Sequence, residues 1–551
     1  MDTTEQPRQS VAVLPGRLAS SYTRPLPRAL PSVGQLSRFA AAIMISPAVF
    51  QFVLRNQHPL TIAPAGPFPT AVSLVAPGVA AVVAALAILR PWYALLLVLA
   101  LTPLWNAAYV WWQVGNVQVI LQTVFVVTLT IGAVTTRSVE GTFLWSAADL
   151  RQAKRATGFV AFRFVEVAVA IFLGIAIAST LASANVKLSS TVLLHGIAEP
   201  IALAALLVFM RPSRRDLVMV GVALGASVAL ASVFNVVETL PRFPSLAALE
   251  AHRLQFAYAS FYNVGIFAAI IATTVPLIVM ALSLRRSISV PKWASFLIAA
   301  SLAAGLAGLF LSLSKSAWIA TAGGIVLLMI LIVHSWRRRL AMIAAALALS
   351  TLFIPWPAFF LQAVPEANVA YRSVMVSLVG ESRFDSWNPS TLAGYGSMTE
   401  RFYAVEGGVK MALANPILGV GLDQFGQNYA KPAYRPATAR DTLDHAHSLF
   451  PEIAAELGVG AAALLLVIYA ATLWALWRVY RAARDRITKV LSAGFMASIV
   501  AWLVVATAYG CDIYRPDRVL SSDVVLTAVV VGASIALARS VHAERPWQPA
   551  N

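Results

Sequence analysis

Residues 397–460 read SMTERFYAVEGGVKMALANPILGVGLDQFGQNYAKPAYRPATARDTLDHAHSLFPEIAAELGVG. The stretch is polar and then turns into an apolar helix. It carries Arg401, Lys410, Asp423, Asp441, Asp444, His445, His447, Glu452 and Glu456. Ser397-x-x-Glu400 is a capping-box pattern, so a helix is expected from there to about Ala414, where Asn415-Pro416 stops it. Arg401 then falls in its first turn. Ser448 is placed to cap the next helix, with Pro451 in a first turn that tolerates proline. His447 therefore sits at the mouth of a membrane helix.

The rest of the chain explains why that stretch stands out. Of its 551 residues, 59% are hydrophobic and only 12% are charged, about half the charge fraction of a soluble protein. The reading is an all-α polytopic membrane protein. Apolar segments fall at about 39–54, 70–89, 92–112, 117–135, 164–184, 191–210, 216–236, 263–284, 294–313, 317–333, 340–360, 448–474, 490–510 and 520–538. Each is near the ~20 residues that a spanning helix needs. That gives about 14 transmembrane helices, with 12–14 as the range.

Residues 1–38 are basic and proline-rich and read as a disordered cytoplasmic tail. With the tail inside, every internal turn is basic, including Arg214-Arg215, Arg285-Arg286, Arg337–Arg339 and Arg484–Arg486. The net charge of +17 is then a topology signal and calls for no nucleic acid. Both termini are expected in the cytoplasm. The expected domains are the tail, transmembrane helices over 39–360, a large outer loop over 361–447 between the eleventh and twelfth helices, and C-terminal helices with a short tail over 448–551. Arg253, Lys315, Arg401 and His447 all fall on the outer side. A loop of that length without a domain of its own is usually functional.

One cysteine, Cys511, excludes an intramolecular disulfide and a multi-cysteine metal site. P-loop, GxGxxG-after-strand and HExxH patterns are absent from the sequence. Gly305, Gly308, Gly323 and Gly324 read as helix-packing contacts. Asp441, Asp444, His445 and His447 could be taken for a metal cluster, but the segment reads as an acidic loop. Within apolar helices, His195 and Glu199 are spaced i, i+4 and share a face. They and Glu166 read first as buried structural groups and second as a proton path.

RFYAVEGGVKMALANPILGVGLDQF followed by HAHSLFPEIAAELGVG resembles the C-terminal signature of the O-antigen ligase/polymerase family. LSLSKSAW at 311–318 resembles the family's Ser-Arg-Gly-Ala helix start, with lysine replacing arginine. The similarity covers roughly residues 305–475. It implies a GT-C-like, metal-independent membrane glycosyltransferase with no cofactor. The implied donor is a glycan on polyprenyl (undecaprenyl) diphosphate at the outer face of a bacterial inner membrane. The acceptor is a hydroxyl on another glycan or on a lipid core, as in O-antigen ligation or exopolysaccharide polymerisation. Membrane lipids and other polysaccharide-assembly proteins are the expected partners.

By this resemblance His447 is the catalytic base, since a neutral imidazole can take a hydroxyl proton near neutral pH. Arg401, Lys315 and Arg253 bind the diphosphate. Arginine presents a rigid donor fork to phosphate, whereas lysine presents a point charge, so Lys315 departs from the family's pattern. Glu456 and His445 are supporting residues, with Glu456 set to orient the imidazole or brace the arginines. The rival class is a transporter or flippase of lipid-linked glycan, with Glu166, His195 and Glu199 as its path. A loop-mediated assembly scaffold is the third reading.

Overall fold

Long apolar runs with few breakers can satisfy their backbone groups in a membrane only as helices, and helices are what they form. The computed structural model describes residues 33–55, 67–102, 111–114, 117–139, 157–239, 264–312, 314–333, 335–341, 343–344, 373, 377, 396–436, 443, 445–509 and 522–543. Eight helices among the described residues are long and apolar enough to cross a membrane, and shorter apolar helices lie beside them.

The first helices are α1 (Val33–Arg55), α2 (Pro67–Leu89) and α3 (Pro91–Ala100). α1 begins inside the stretch expected to belong to the tail. Two short strands follow, β1 (Trp111–Val114) and β2 (Val117–Ile120), paired antiparallel with Trp111 opposite Ile120. Helices were expected over 92–112 and 117–135, so the hairpin corrects both. Trp111, Trp112, Val114, Val117, Val119 and Ile120 are β-favouring types with Gly115-Asn116 between the strands. Hydropathy alone does not separate such a run from a helix.

Then come α4 (Leu121–Val139), α5 (Thr157–Ala182), α6 (Val186–Val192), a π-helical turn (Leu193–Ala198) and α7 (Glu199–Phe209). The π turn has a local cause. Pro200 has no N–H to give Gly196, and the Glu199 N–H reaches back five residues to Leu194.

The middle of the bundle is α8 (Arg214–Thr239), α9 (Val264–Leu284), α10 (Lys292–Leu311) and α11 (Lys315–Ile332). α9 is buried along almost its whole length, enclosed by α8, α10, α11 and α16 (Arg486–Tyr509). Small residues let these helices approach. A Cβ on Gly308 would lie 2.5 Å from Ser232 Oγ of α8, and one on Gly324 would lie 2.9 Å from Pro276 of α9. The glycines expected to pack helices do so at 305, 308 and 324, while Gly323 faces open space.

The last elements are α12 (Gly396–Ala414), α13 (Phe425–Tyr429), α14 (Leu449–Leu457), α15 (Val459–Ala482), α16 and α17 (Ser522–Ala543). The single segment expected at 448–474 is thus two helices, broken at Gly458. Glu452 and Glu456 consequently lie on α14, outside the candidate span Val459–Ala482. The segment expected at 340–360 falls mostly outside the described residues.

The two ends of the bundle are chemically different. At one end the basic turns converge. Arg214 pairs with Asp485 at 2.9 Å, and Arg486 donates to the Ser283 carbonyl at 3.4 Å. Tyr480 near the end of α15 donates to Leu331 at the end of α11, at 2.7 Å. At the other end, Ser179 donates to the Glu456 carbonyl at 2.8 Å and Ser189 to the Leu422 carbonyl at 2.5 Å. The polar stretch that carries Arg401 and His447 therefore sits opposite the basic turns.

Candidate functional site

α12 supplies Arg401. It runs to Ala414 and stops at Asn415-Pro416, as the sequence implies. It starts at Gly396, so Arg401 stands in its second turn, one turn later than expected, and is half-buried.

α14 supplies the setting of His447. Ser448 is its N-cap residue, but the Ser448 side chain makes no capping bond. The Ser448 carbonyl accepts the Glu452 N–H at 3.1 Å, which is the first bond of the helix. His447 itself has φ of +53°. Left-handed backbone is uncommon for a non-glycine residue and costs of order 1–3 kcal/mol. Its neighbours hold it there, since Ala446 and Ser448 on either side are both buried. The rings of His445 and His447 lie 3.9 Å apart between centroids, so the two histidines occupy one place.

A small core ties these pieces together. Ala404 and Met411 of α12, Phe425 and Tyr429 of α13, Leu443 and Ala446 ahead of α14, and Ala455 of α14 form one apolar cluster, separate from the main core. Ala404 is one turn beyond Arg401, and Ala446 is next to His447. The arginine and the histidine are thus carried at the rim of the same core. Phe425 and Tyr429 stack with centroids 5.7 Å apart inside it.

The turn after α12 is strapped across the C-terminal end of α14. Val420 N–H donates to Ala455 O at 2.8 Å, Gly421 N–H to Glu456 O at 3.2 Å, and Val459 N–H to Pro416 O at 3.0 Å. The first two bonds satisfy carbonyls that the end of α14 would otherwise leave open. The approach is too close for side chains. A Cβ on Gly419 (φ +67°) would meet the Glu456 carbonyl carbon at 2.2 Å, and one on Gly458 (φ +92°) would meet Ile417 O at 2.3 Å. The Gly-x-Gly-x-x-x-Phe signature is therefore a backbone-to-backbone seam. Contact between segments thirty-odd residues apart leaves no periodic trace in the sequence.

Glu456 locks that seam from within. It is 1% exposed, and its Oε1 accepts the Phe425 N–H at 3.1 Å. Burial pushes its carboxyl up to about 8, against the lowering effect of the Asp423, Phe425 and Gln424 backbone. The structure thus engages Glu456 with the turn.

Lys315 is the first residue of α11, and Ser314 before it is the N-cap. α11 starts at the end of the bundle that carries Arg401 and His447, since its other end meets Tyr480. Arg253, Asp441 and Asp444 lie outside the described residues. Among the described residues, no group of three or more His, Cys, Asp or Glu could hold a metal ion.

The residues set aside for a transport path are paired. His195 Nδ1 lies 3.0 Å from Glu199 Oε1, Gln122 donates to Glu199 Oε2 at 2.9 Å, and Thr123 donates to Glu199 Oε1. Glu166 pairs with Arg539.

Comparison with protein families bears directly on the 396–458 assembly. Residues 300–466 match the model of the O-antigen ligase family. The resemblance seen in the sequence over 305–475 is thereby supported, and the match spans α11, α12, α13 and α14 with the histidine pair between them. It leaves the helices before residue 300 unmatched. The matched segment is similar to a family named for O-antigen ligation, and the long apolar helices fit a multi-pass membrane protein. Comparison with curated proteins gives no match.

Proposed function

We propose that this protein is a membrane glycosyltransferase that moves a glycan from polyprenyl diphosphate to an acceptor hydroxyl at the outer face of the membrane. One observation carries the reading. Arg401 and His447 sit at the rim of one small buried core, opposite the basic turns, within the O-antigen ligase match.

The reaction is a displacement at the anomeric carbon. The acceptor oxygen forms the new glycosidic bond, the bond to the diphosphate breaks, and the acceptor proton goes to His447. Charge grows on the departing diphosphate. Arg401 and Lys315 supply fixed positive charge there, which is the arrangement that lowers such a barrier most. By the family resemblance Arg253, in the sequence before α9, has the same role. Glu456 keeps the turn beside α14 in place, and His445 packs on the base. Nothing in this scheme calls on a metal or a nucleotide sugar. The basic turns face the cytoplasm by the positive-inside rule, as do both termini.

The test is reconstitution with a polyprenyl-diphosphate glycan and an acceptor glycan. Release of polyprenyl diphosphate that tracks with acceptor elongation supports the reading. Movement of the intact donor across the bilayer without release supports transport instead.

A further inference from the structure

A cavity lies between the helices, with one end against α14, just beyond the histidine pair. It holds about 540 Å³ between α5, α7, α15, α16 and α17, within the range of small-molecule sites. Its walls are apolar, with Phe172, Leu173, Ile201, Val208, Ile468 and Trp502 among them. Four of these five helices are, or belong to, candidate membrane spans, so what reaches the cavity from outside is lipid.

The two ends of the cavity are unlike. Ile453 and Leu449 of α14 close one end, where Ser179 of α5 bonds Glu456. The other end holds Glu166, Arg211 and Arg539. Along α17 the lining runs from Thr527 to Arg539, twelve residues or about 18 Å of helix rise. The cavity is therefore a slot running along the membrane normal. Its charged end is the end where the basic turns gather.

Arg539 pairs with Glu166, and Arg163 and Arg211 stand close enough for their charges to act on Arg539. Two guanidinium groups, Arg211 and Arg539, line that end beside the Glu166 carboxylate. Guanidinium is the group best matched to phosphate oxygens, and basic pockets between helices on the cytoplasmic side take acidic lipid headgroups.

We propose that this slot is a binding site for an anionic glycerophospholipid of the cytoplasmic leaflet. One acyl chain lies along the apolar wall toward α14, and the headgroup phosphate rests on Arg211 and Arg539. The occupant is a resident of the bilayer and is distinct from the polyprenyl donor, which enters at the opposite end. Because the chain touches Leu449 and Ile453, the lipid supports the helix that carries the histidine pair at its start.

The experiment is native mass spectrometry of the full chain after delipidation and incubation with equal phosphatidylglycerol and phosphatidylcholine. Two variants probe the two ends. Arg211→Gln removes headgroup charge and leaves both Glu166 and Arg539 in the chain. Ala205→Trp fills the slot from a position that is exposed, so it does not overpack the core. Retention of one phosphatidylglycerol is expected in the wild type. Each variant is expected to lose it by about tenfold or more, the scale of one charge-assisted contact. Monodispersity and the unfolding temperature before lipid is added check that both variants fold. Equal retention of the two lipids, or unchanged retention in Arg211→Gln, overturns the proposal. So does displacement of phosphatidylglycerol by polyprenyl monophosphate, which would make the slot a carrier site. The readout contains no glycan transfer, so it fails or holds independently of the reading of His447.

Discussion

Glu456 Oε1 accepts the backbone N–H of Phe425 at 3.1 Å, and so fixes the turn after α12 to the helix that follows His447. The carboxyl is raised from 4.5 to about 8 by burial. The folded protein then binds a proton between those values that the unfolded chain does not. Stability from this group is full below pH 4.5 and is lost as pH rises through about 8. Thermal unfolding across pH 4.5–8 should show that decline in the wild type. Glu456→Gln keeps an acceptor for Phe425 and should flatten it. Glu456→Ala should cost ~1–3 kcal/mol, because it leaves a buried N–H unmet. An unchanged slope in Glu456→Gln would remove Glu456 as its source.

The seam between Gly419 and α14 makes a second prediction. Gly419→Ala would need a Cβ 2.2 Å from the Glu456 carbonyl carbon at φ of +67°. The backbone conformation alone costs about 1–3 kcal/mol, and the overlap adds to it. Gly460→Ala is the control, since nothing lies within 4 Å of its Cβ position. A Gly419→Ala protein as heat-stable as Gly460→Ala would contradict the seam.

Topology is tested at two exposed, described positions on opposite ends. In a Cys511→Ser background, Ala433→Cys should react with an impermeant thiol reagent in intact cells. Ser287→Cys, beside Arg285-Arg286, should react only after the inner face is opened. The reverse pattern would invert the orientation.

Much of this organisation was legible in the sequence. Apolar run length marked most of the helices, Asn415-Pro416 marked the end of α12, and the distribution of arginine marked which turns share an end. Three things were hidden. The hairpin at 111–120 has a hydropathy that a helix would also have. The break at Gly458 is a single residue inside an apolar run. The core of Ala404, Phe425, Tyr429 and Ala446 joins segments whose contact no local pattern records. His195 and Glu199 show the middle case. Their spacing announced a pair, and the π turn forced by Pro200 lies beneath it, but Gln122 and Thr123 come from another helix and complete the set.

Lys315 begins α11 at the same end as Arg401. If its charge meets the donor diphosphate, Lys315→Met should lower transfer about tenfold or more, on the scale of one charge-assisted contact. Lys315→Arg should hold or improve it, because the fork is gained. Full transfer in Lys315→Met would leave the lysine as an interfacial residue only.

The most direct measurement follows polyprenyl-diphosphate release in liposomes holding the purified protein, lipid-linked oligosaccharide and acceptor. Donor binding is measured in parallel. His447→Ala should bind donor as the wild type does and lose transfer by ~10²–10⁴, as expected when a general base is removed. Arg401→Ala should lose both binding and transfer, and Arg401→Lys should recover part of each. Wild-type turnover in His447→Ala, with function abolished instead by Glu199→Gln, would contradict the glycosyltransferase account.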